Sequence, residues 1–161
     1  MKNLIILLVS FALLPGITLS AQDKTEKAGL DQFIKNKQFV FEATTALPSN
    51  GRSRNLSFGY DLQVAPDSII SHLPYFGRAY RAPVDPRKGG IQFVSTEFDY
   101  AVEEENEGWL VTILPKDNSE VQKMFVHIGE SGYATLQVIS MFRQPISFHG
   151  RVEKRVYLKA F

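Results

Sequence analysis

The alternation of apolar and polar side chains over residues 56–64 constrains the fold of this chain more than any other feature. Apolar residues occupy every second position there: Leu56, Phe58, Tyr60, Leu62 and Val64. A period of two places these side chains on one face of a β-strand and the intervening residues on the other. Residues 65–68, Ala-Pro-Asp-Ser, suit a type I turn because the proline ring fixes φ. The pattern therefore predicts a hairpin whose second strand runs from Ser68 to Leu73.

Similar runs of β-branched and aromatic residues fill most of the remaining chain. They extend from Phe39 to Val152 and give about eight strands, with turn signals roughly every 8 to 15 residues. No helices of crossover length separate them, which argues against a parallel α/β arrangement. We predict an all-β fold, an antiparallel meander that closes into a lipocalin-like barrel or a sandwich.

Three segments carry more detailed predictions. Between Ile91 and Val102 the apolar residues change parity across residues 95–97, which predicts a β-bulge inside one long strand. Trp109 to Leu114 is apolar at both parities, as in a central strand that is covered on both faces. A single short helix is predicted over about residues 24–36, because three apolar residues share one face at helical spacing. These residues are Leu30, Phe33 and Ile34.

The first 21 residues have the organisation of a secretory signal peptide. Lys2 supplies the positive charge, residues 4–14 form an apolar run, and Ala21 ends a small-residue segment that suits cleavage. Cleavage after Ser20 is the alternative. The apolar run is about half of the ~20 residues that a membrane-spanning helix needs. We therefore expect residues 22–161 to form one exported domain, soluble in the periplasm or outside the cell, with no membrane span.

Charge and cysteine content exclude several classes of function. The chain has 18 Lys and Arg residues against 17 Asp and Glu residues, so removal of Lys2 with the leader leaves no net side-chain charge. A neutral domain lacks the basic face that nucleic-acid binding usually requires. No cysteine is present, which excludes disulfides, thiolate metal sites and the lipid-modified cysteine of a lipoprotein.

No motif in the sequence assigns a catalytic residue, a cofactor site or a metal site. Histidines occur at three widely separated positions, each predicted to face solvent from a strand: His72, His127 and His149. No nucleophile elbow is present. The acidic residues 103–107 are interpreted as a solvated hairpin tip, with a low-affinity calcium site as the alternative. We expect a protein without catalytic activity and without a cofactor.

The densest chemistry lies in residues 73–83, which contain three aromatic residues, two arginines and two prolines. Aromatic rings supply apolar area, arginine supplies a planar cation and proline fixes the backbone, as a binding surface requires. The alternative is that the aromatic residues pack into the barrel mouth or the core. The candidate ligand or partner surface comprises Tyr75, Phe76, Arg78, Tyr80, Arg81 and Arg143.

The same segment carries a family resemblance. Residues 73–80, Leu-Pro-Tyr-Phe-Gly-Arg-Ala-Tyr, resemble the central motif of the domain of unknown function 4251 family. Further parts of the family pattern are similar to residues 60–62, 67–68, 89–93, 132–136 and 143–150. The resemblance implies an exported protein of Bacteroidota-type bacteria with a β-rich fold. It implies no activity, substrate or cofactor, and it transfers no functional residue.

Three hypotheses for the function follow. The first is an exported envelope protein that binds a small apolar ligand or another envelope component, with a cavity of ~300 Å³ or more beside Tyr75, Phe76 and Tyr80. The second is a structural or protein-interaction domain with a filled core and an exposed apolar patch. The third is a carboxylate-dependent hydrolase, which would need two carboxyl groups roughly 5–9.5 Å apart in a cleft.

Overall fold

The structure, a computed structural model, describes residues 19–81 and 89–154, with side chains described from Lys27 onward. This part of the chain forms one helix and ten strands. The helix α1 spans Leu19–Lys35. The strands are β1 Phe39–Pro48, β2 Arg54–Asn55, β3 Asp61–Val64, β4 Ile69–Leu73, β5 Ile91–Ser95, β6 Phe98–Glu105, β7 Gly108–Pro115, β8 Val121–Gly129, β9 Tyr133–Ser140 and β10 Ile146–Lys154.

All strands belong to one antiparallel sheet that curls into a nearly closed barrel. The order of strands across the sheet is β5-β4-β3-β1-β10-β9-β8-β7-β6, and β2 pairs beside β3 on the same edge of β1. The first and last long strands meet in the middle, where Phe39 pairs with Lys154. The prediction of an all-β antiparallel fold is confirmed, and of its two versions the barrel is the one observed.

Alternation of side chains places the core inside this sheet. Along β10 the buried residues are Ile146, Phe148, Gly150 and Val152, and the residues between them face outward. The same period of two repeats in β8 and β9. Large apolar side chains therefore converge on the interior from most of the strands, and many of them are fully buried, including Phe39, Phe41, Leu62, Ile113, Met124 and Leu136.

The predicted strand over residues 56–64 is only half formed. A bulge in β1 between Ala43 and Thr45 divides the edge of that strand, so that β3 pairs with one part and β2 with the other. Residues 56–60 cross from one partner to the other, and Phe58 is almost fully exposed there. The alternation indicated the strand correctly from Asp61 onward, but β3 begins later than the pattern does, because its pairing with the bulged strand starts only there.

The predicted bulge inside residues 91–102 is wrong, because this segment forms two strands on opposite edges of the sheet. Thr96 and Glu97 carry the chain from β5 to β6, and these two strands do not pair with each other. Asp117 fixes the crossing by accepting hydrogen bonds from the Ser95 hydroxyl and from the Thr96 amide at 2.8 Å. The change of parity therefore marks a corner of the barrel rather than an extra residue in a ladder.

The helix α1 packs against the barrel with the predicted stripe. Leu30 and Ile34 are buried, and Phe33 packs against the core. Polar contacts add to the packing, since Trp109 Nε1 donates to Asp31 at 3.0 Å and the Tyr100 hydroxyl donates to the Ile34 carbonyl at 2.7 Å. The helix begins earlier than predicted, at Leu19. Residues 1–18 of the predicted leader lie outside the described residues.

The central strand predicted from Trp109 to Leu114 is confirmed as a strand but not as one covered on both faces. Trp109, Val111 and Ile113 are buried in β7, whereas Leu110 and Leu114 point outward and are half-buried. Their outward face is therefore partly open to solvent. Within the described residues, no helix is long and apolar enough to cross a membrane.

Candidate functional site

The segment after β4 is held against the barrel by the Tyr75 hydroxyl. This oxygen lies 2.8 Å from the carbonyl oxygen of Arg78 and 3.1 Å from that of Gln144. Burial raises the pKa of Tyr75 above its ordinary value of 10.0, so the hydroxyl remains a donor. A Cβ atom at Gly77 would come within 2.5 Å of the same oxygen. A side chain at position 77 would therefore have to displace the Tyr75 ring from these hydrogen bonds.

Arg143 is the buried cation that joins this segment to the rest of the fold. Its side chain is 5% exposed, and its Nη1 donates to the carbonyl oxygens of Gly89 and Gly90 at 3.0 and 3.1 Å. Its Nε forms an ion pair with Glu120, and its guanidinium lies 5.0 Å from the centre of the Tyr75 ring. One arginine in the β9–β10 connection thus binds residues from two others, β4–β5 and β7–β8.

Backbone hydrogen bonds complete the attachment. Ala79 forms an isolated antiparallel bridge with Arg143, and the amide of Tyr80 donates to the Phe142 carbonyl at 2.7 Å. The amide of Gln144 donates to the Arg78 carbonyl at 3.0 Å. Residues 78–80 therefore act as a short strand against the connection between β9 and β10.

The six candidate residues separate into two groups in the structure. Tyr75, Phe76 and Arg143 are buried or half-buried and hold the segment in place. Arg78, Tyr80 and Arg81 are exposed, and the side chain of Tyr80 keeps 67% of its accessible surface. The packing alternative applies to the first group, while the second group is placed where a partner can reach it.

Two residues that the sequence did not single out adjoin the exposed group. Met141 is 53% exposed, and Phe142 lies beneath the Arg81 guanidinium at 5.3 Å. We call the set Arg78, Tyr80, Arg81, Met141 and Phe142 the Tyr80 surface. The sequence indicates part of this surface, because the apolar residues Met141 and Phe142 directly precede the candidate residue Arg143. No glycine or proline separates them from β9.

The core beside these residues is lined by buried side chains. Leu73 and Ile91, at the adjoining ends of β4 and β5, are buried, and Tyr75 and Phe76 pack against the same core. Three surface grooves of about 560, 350 and 550 Å³ are lined by other residues, on the outer faces of β8 to β10 and around residues 104–107. None of these three grooves is the apolar cavity that the first hypothesis needs.

The predicted exposure of the three histidines is confirmed. His72, His127 and His149 all face solvent, and the part of the chain that the structure describes contains no cluster of three metal-binding side chains. Among the carboxyl groups, Asp117 has a lowered pKa because it accepts hydrogen bonds from Ser95 and Thr96. Its contacts fix the barrel corner, which is a structural role.

Comparison with known proteins gives the family and the fold. The family model for the domain of unknown function DUF4251 matches residues 21–152. No curated protein matches the sequence. Among solved structures, the chain is similar to a DUF4251 family protein from Bacteroides eggerthii, with a TM-score of 0.56 and 14% sequence identity. The alignment covers 83% of this chain and 91% of that one. Because the family model spans most of the sequence, the chain belongs to the DUF4251 family.

Proposed function

We propose that this chain is an exported, non-catalytic protein of the cell envelope that binds an envelope partner through the Tyr80 surface. The supporting observation is the division of the candidate residues. Tyr75 and Arg143 are engaged in holding the segment, which leaves Tyr80 and its neighbours presented on a rigid support. Tyrosine, methionine and arginine are the residue types that protein interfaces favour.

Export is part of the proposal and rests on the leader-like sequence of residues 1–21. We expect protein recovered from the periplasm or the medium to begin at Gln22, or at Ala21 with the alternative cleavage. Mass spectrometry of the intact protein measures this directly. An unprocessed chain beginning at Met1 in that fraction would contradict the export proposal.

The lipocalin-like alternative, with a small apolar ligand inside the barrel, has less support. Such a ligand needs interior space, and the inward positions are occupied by large side chains such as Phe39, Phe41 and Phe148. Extraction of the native protein followed by mass spectrometry of the extract separates the two versions. A lipid recovered at one molecule per chain would favour the interior site over the surface.

Photo-cross-linking in the native host tests the partner-binding proposal. The cross-linking residue p-benzoylphenylalanine replaces Tyr80 or Met141, and the matched control places it at Asp67, which is exposed in the turn between β3 and β4. We expect one discrete adduct from the first two positions and none from the control. Cross-linking that is absent at Tyr80 and Met141, or equal at all three positions, would reject the Tyr80 surface.

Purified partner then gives the energetic test. Tyr80→Ala and Met141→Ala should each weaken binding at least about tenfold, because exposed aromatic and Met side chains become buried in an interface. Both variants should unfold within about 0.5 kcal/mol of the wild type, since surface changes of this kind rarely affect stability. Unchanged affinity in both variants would place the contact elsewhere.

A further inference from the structure

A groove of about 560 Å³ lies on the outer face of β8, β9 and β10, away from the Tyr80 surface. Its floor includes the strand backbone at Gly129, Ala134 and Gly150. Outward side chains form two cross-strand rows above it: Tyr133 opposite Arg151, and His127, Thr135 and His149 across three strands. The volume falls within the range of about 300–1,000 Å³ that is typical of small-molecule sites.

One end of the groove carries the positively charged guanidinium of Arg151, which is stacked on an aromatic ring. The Arg151 guanidinium lies 4.6 Å from the centre of the Tyr133 ring, its neighbour across the β9–β10 pair. Stacking on an aromatic ring orders a guanidinium, whose N–H groups match the two oxygens of a carboxylate. Glu42 lies across from Arg151 on β1 but does not line the groove. Arg151 is therefore placed to receive a carboxylate from a ligand.

The other end carries negative charge. Glu105, the last residue of β6, and Glu107, in the turn that follows, both line the groove. The Glu105 carboxylate lies 3.6 Å from His127 Nδ1, which places it above β8. Between the two charged ends, Thr135 Oγ1 and His149 Nδ1 are hydrogen-bonded at 3.0 Å. The groove thus has a cationic end, a hydrogen-bonding middle and an anionic end.

The spacing of the two ends limits the size of a ligand. The Glu105 carboxylate lies against His127, and the Arg151 guanidinium lies against Tyr133, so these two residues mark the two ends. His127 and Tyr133 lie on neighbouring strands, two residues apart along the strand direction, because His127 pairs with Thr135. Strands are ~4.8 Å apart and advance ~3.4 Å per residue, so the two charged ends are separated by roughly 10 Å once side chains are included. An extended chain of three residues spans about the same distance.

We infer that this groove binds a short peptide with free ends. The C-terminal carboxylate lies on Arg151, and the N-terminal ammonium group lies between Glu105 and Glu107. A simple anion fits less well, because the groove offers it one arginine but also two carboxylates that repel it. A neutral ligand fits less well because it pairs with neither charged end. The inference is independent of the Tyr80 surface, which lies on different segments.

Isothermal titration of the purified protein tests this with trialanine and two blocked derivatives. One derivative carries an N-terminal acetyl group and the other a C-terminal amide, so each lacks one charge. We expect trialanine to bind and each derivative to bind at least tenfold more weakly. In the amide spectrum of the protein, trialanine should shift the resonances of Gly129 and Gly150. Absence of trialanine binding, or equal affinity for all three peptides, overturns the inference.

Variants assign each charge to its end of the groove. Arg151→Met should bind trialanine and its C-terminal amide equally, and Glu105→Gln with Glu107→Gln should bind trialanine and its N-acetyl form equally. Arg52→Met and Glu153→Gln change exposed residues outside the groove, so they should leave all three affinities unchanged. Discrimination that survives in both groove variants, or is lost in the controls, overturns the orientation proposed here.

Discussion

At the scale of single residues, Arg143 shows how a binding-type side chain becomes part of the fold. Its guanidinium has Glu120 on one side, the Tyr75 ring on another and two backbone carbonyl groups in addition. A buried cation is stable when its donors are satisfied in this way. The same contacts bury it within the fold, whereas Arg78 and Arg81 are exposed.

Replacement of Arg143 should therefore damage stability. Arg143→Met keeps much of the volume but leaves the carbonyl groups of Gly89 and Gly90 without their donor and removes the partner of Glu120. We expect a loss of about 2–4 kcal/mol in the free energy of unfolding, measured by urea denaturation. Arg52→Met, at an exposed position, is the matched control and should change it by less than about 0.5 kcal/mol. Equal small effects for both variants would show that Arg143 is dispensable.

At the scale of elements, the corner between β5 and β6 depends on a residue from a different connection. Asp117 follows β7, and its carboxylate accepts hydrogen bonds from Ser95, Thr96 and Glu97. These bonds favour the ionised form and hold the pKa of Asp117 below its ordinary value of 3.8. The corner is consequently a place where protonation and local structure are linked.

The sign of this linkage gives a pH prediction. A carboxyl group with a lowered folded-state pKa stabilises the fold above its unfolded value near 3.8, and this stabilisation is lost as the pH falls through the folded value. Asp117→Asn should thus be less stable than the wild type at pH 6, and the difference should shrink below about pH 4. Glu103→Gln, on the exposed side of β6, serves as the control. A difference between wild type and Asp117→Asn that stays constant with pH would exclude the linkage.

The elements also show what sequence patterns can predict. Strands such as β8, β9 and β10 were predictable because alternation is a local property of a few consecutive residues. The corner and the start of β3 were not, because they depend on Asp117 and on the bulge in β1, which lie elsewhere in the chain. The candidate site was found in part for the same reason. Composition identified Tyr75 and Tyr80 together, but only contact with the distant Gln144 and Phe142 separates a buried residue from an exposed one.

At the scale of the whole molecule, one strand pair unites two halves of the sheet. Strands β1 to β5 form one side and β6 to β10 the other, and the pairing of β1 with β10 joins them through nine residue pairs from Phe39↔Lys154 to Pro48↔Ile146. The core is shared, since Phe41 from the first half and Phe148 from the second are both fully buried. Neither half encloses its own apolar side chains alone.

We expect the protein to unfold in a single step as a result. Trp109, the only tryptophan in the sequence, reports on β7 in the second half, while far-ultraviolet circular dichroism reports on all strands. Their urea transitions should coincide in midpoint and slope. Val152 of β10 is buried and pairs with Phe41, so Val152→Asp places a charge in the shared core. This variant should lower the urea midpoints of both transitions together. Two separated transitions would show that the halves fold independently.

The β1–β10 pair has a further consequence for how the molecule is assembled over time. The β10 partner of β1 lies about a hundred positions downstream, so a ribosome releases β1 long before its neighbour emerges. Until then the early strands expose an unfinished edge and an uncovered apolar face, a state that invites self-association. Correct folding therefore requires that the nascent polypeptide be kept apart from other copies until its C-terminal strand has emerged.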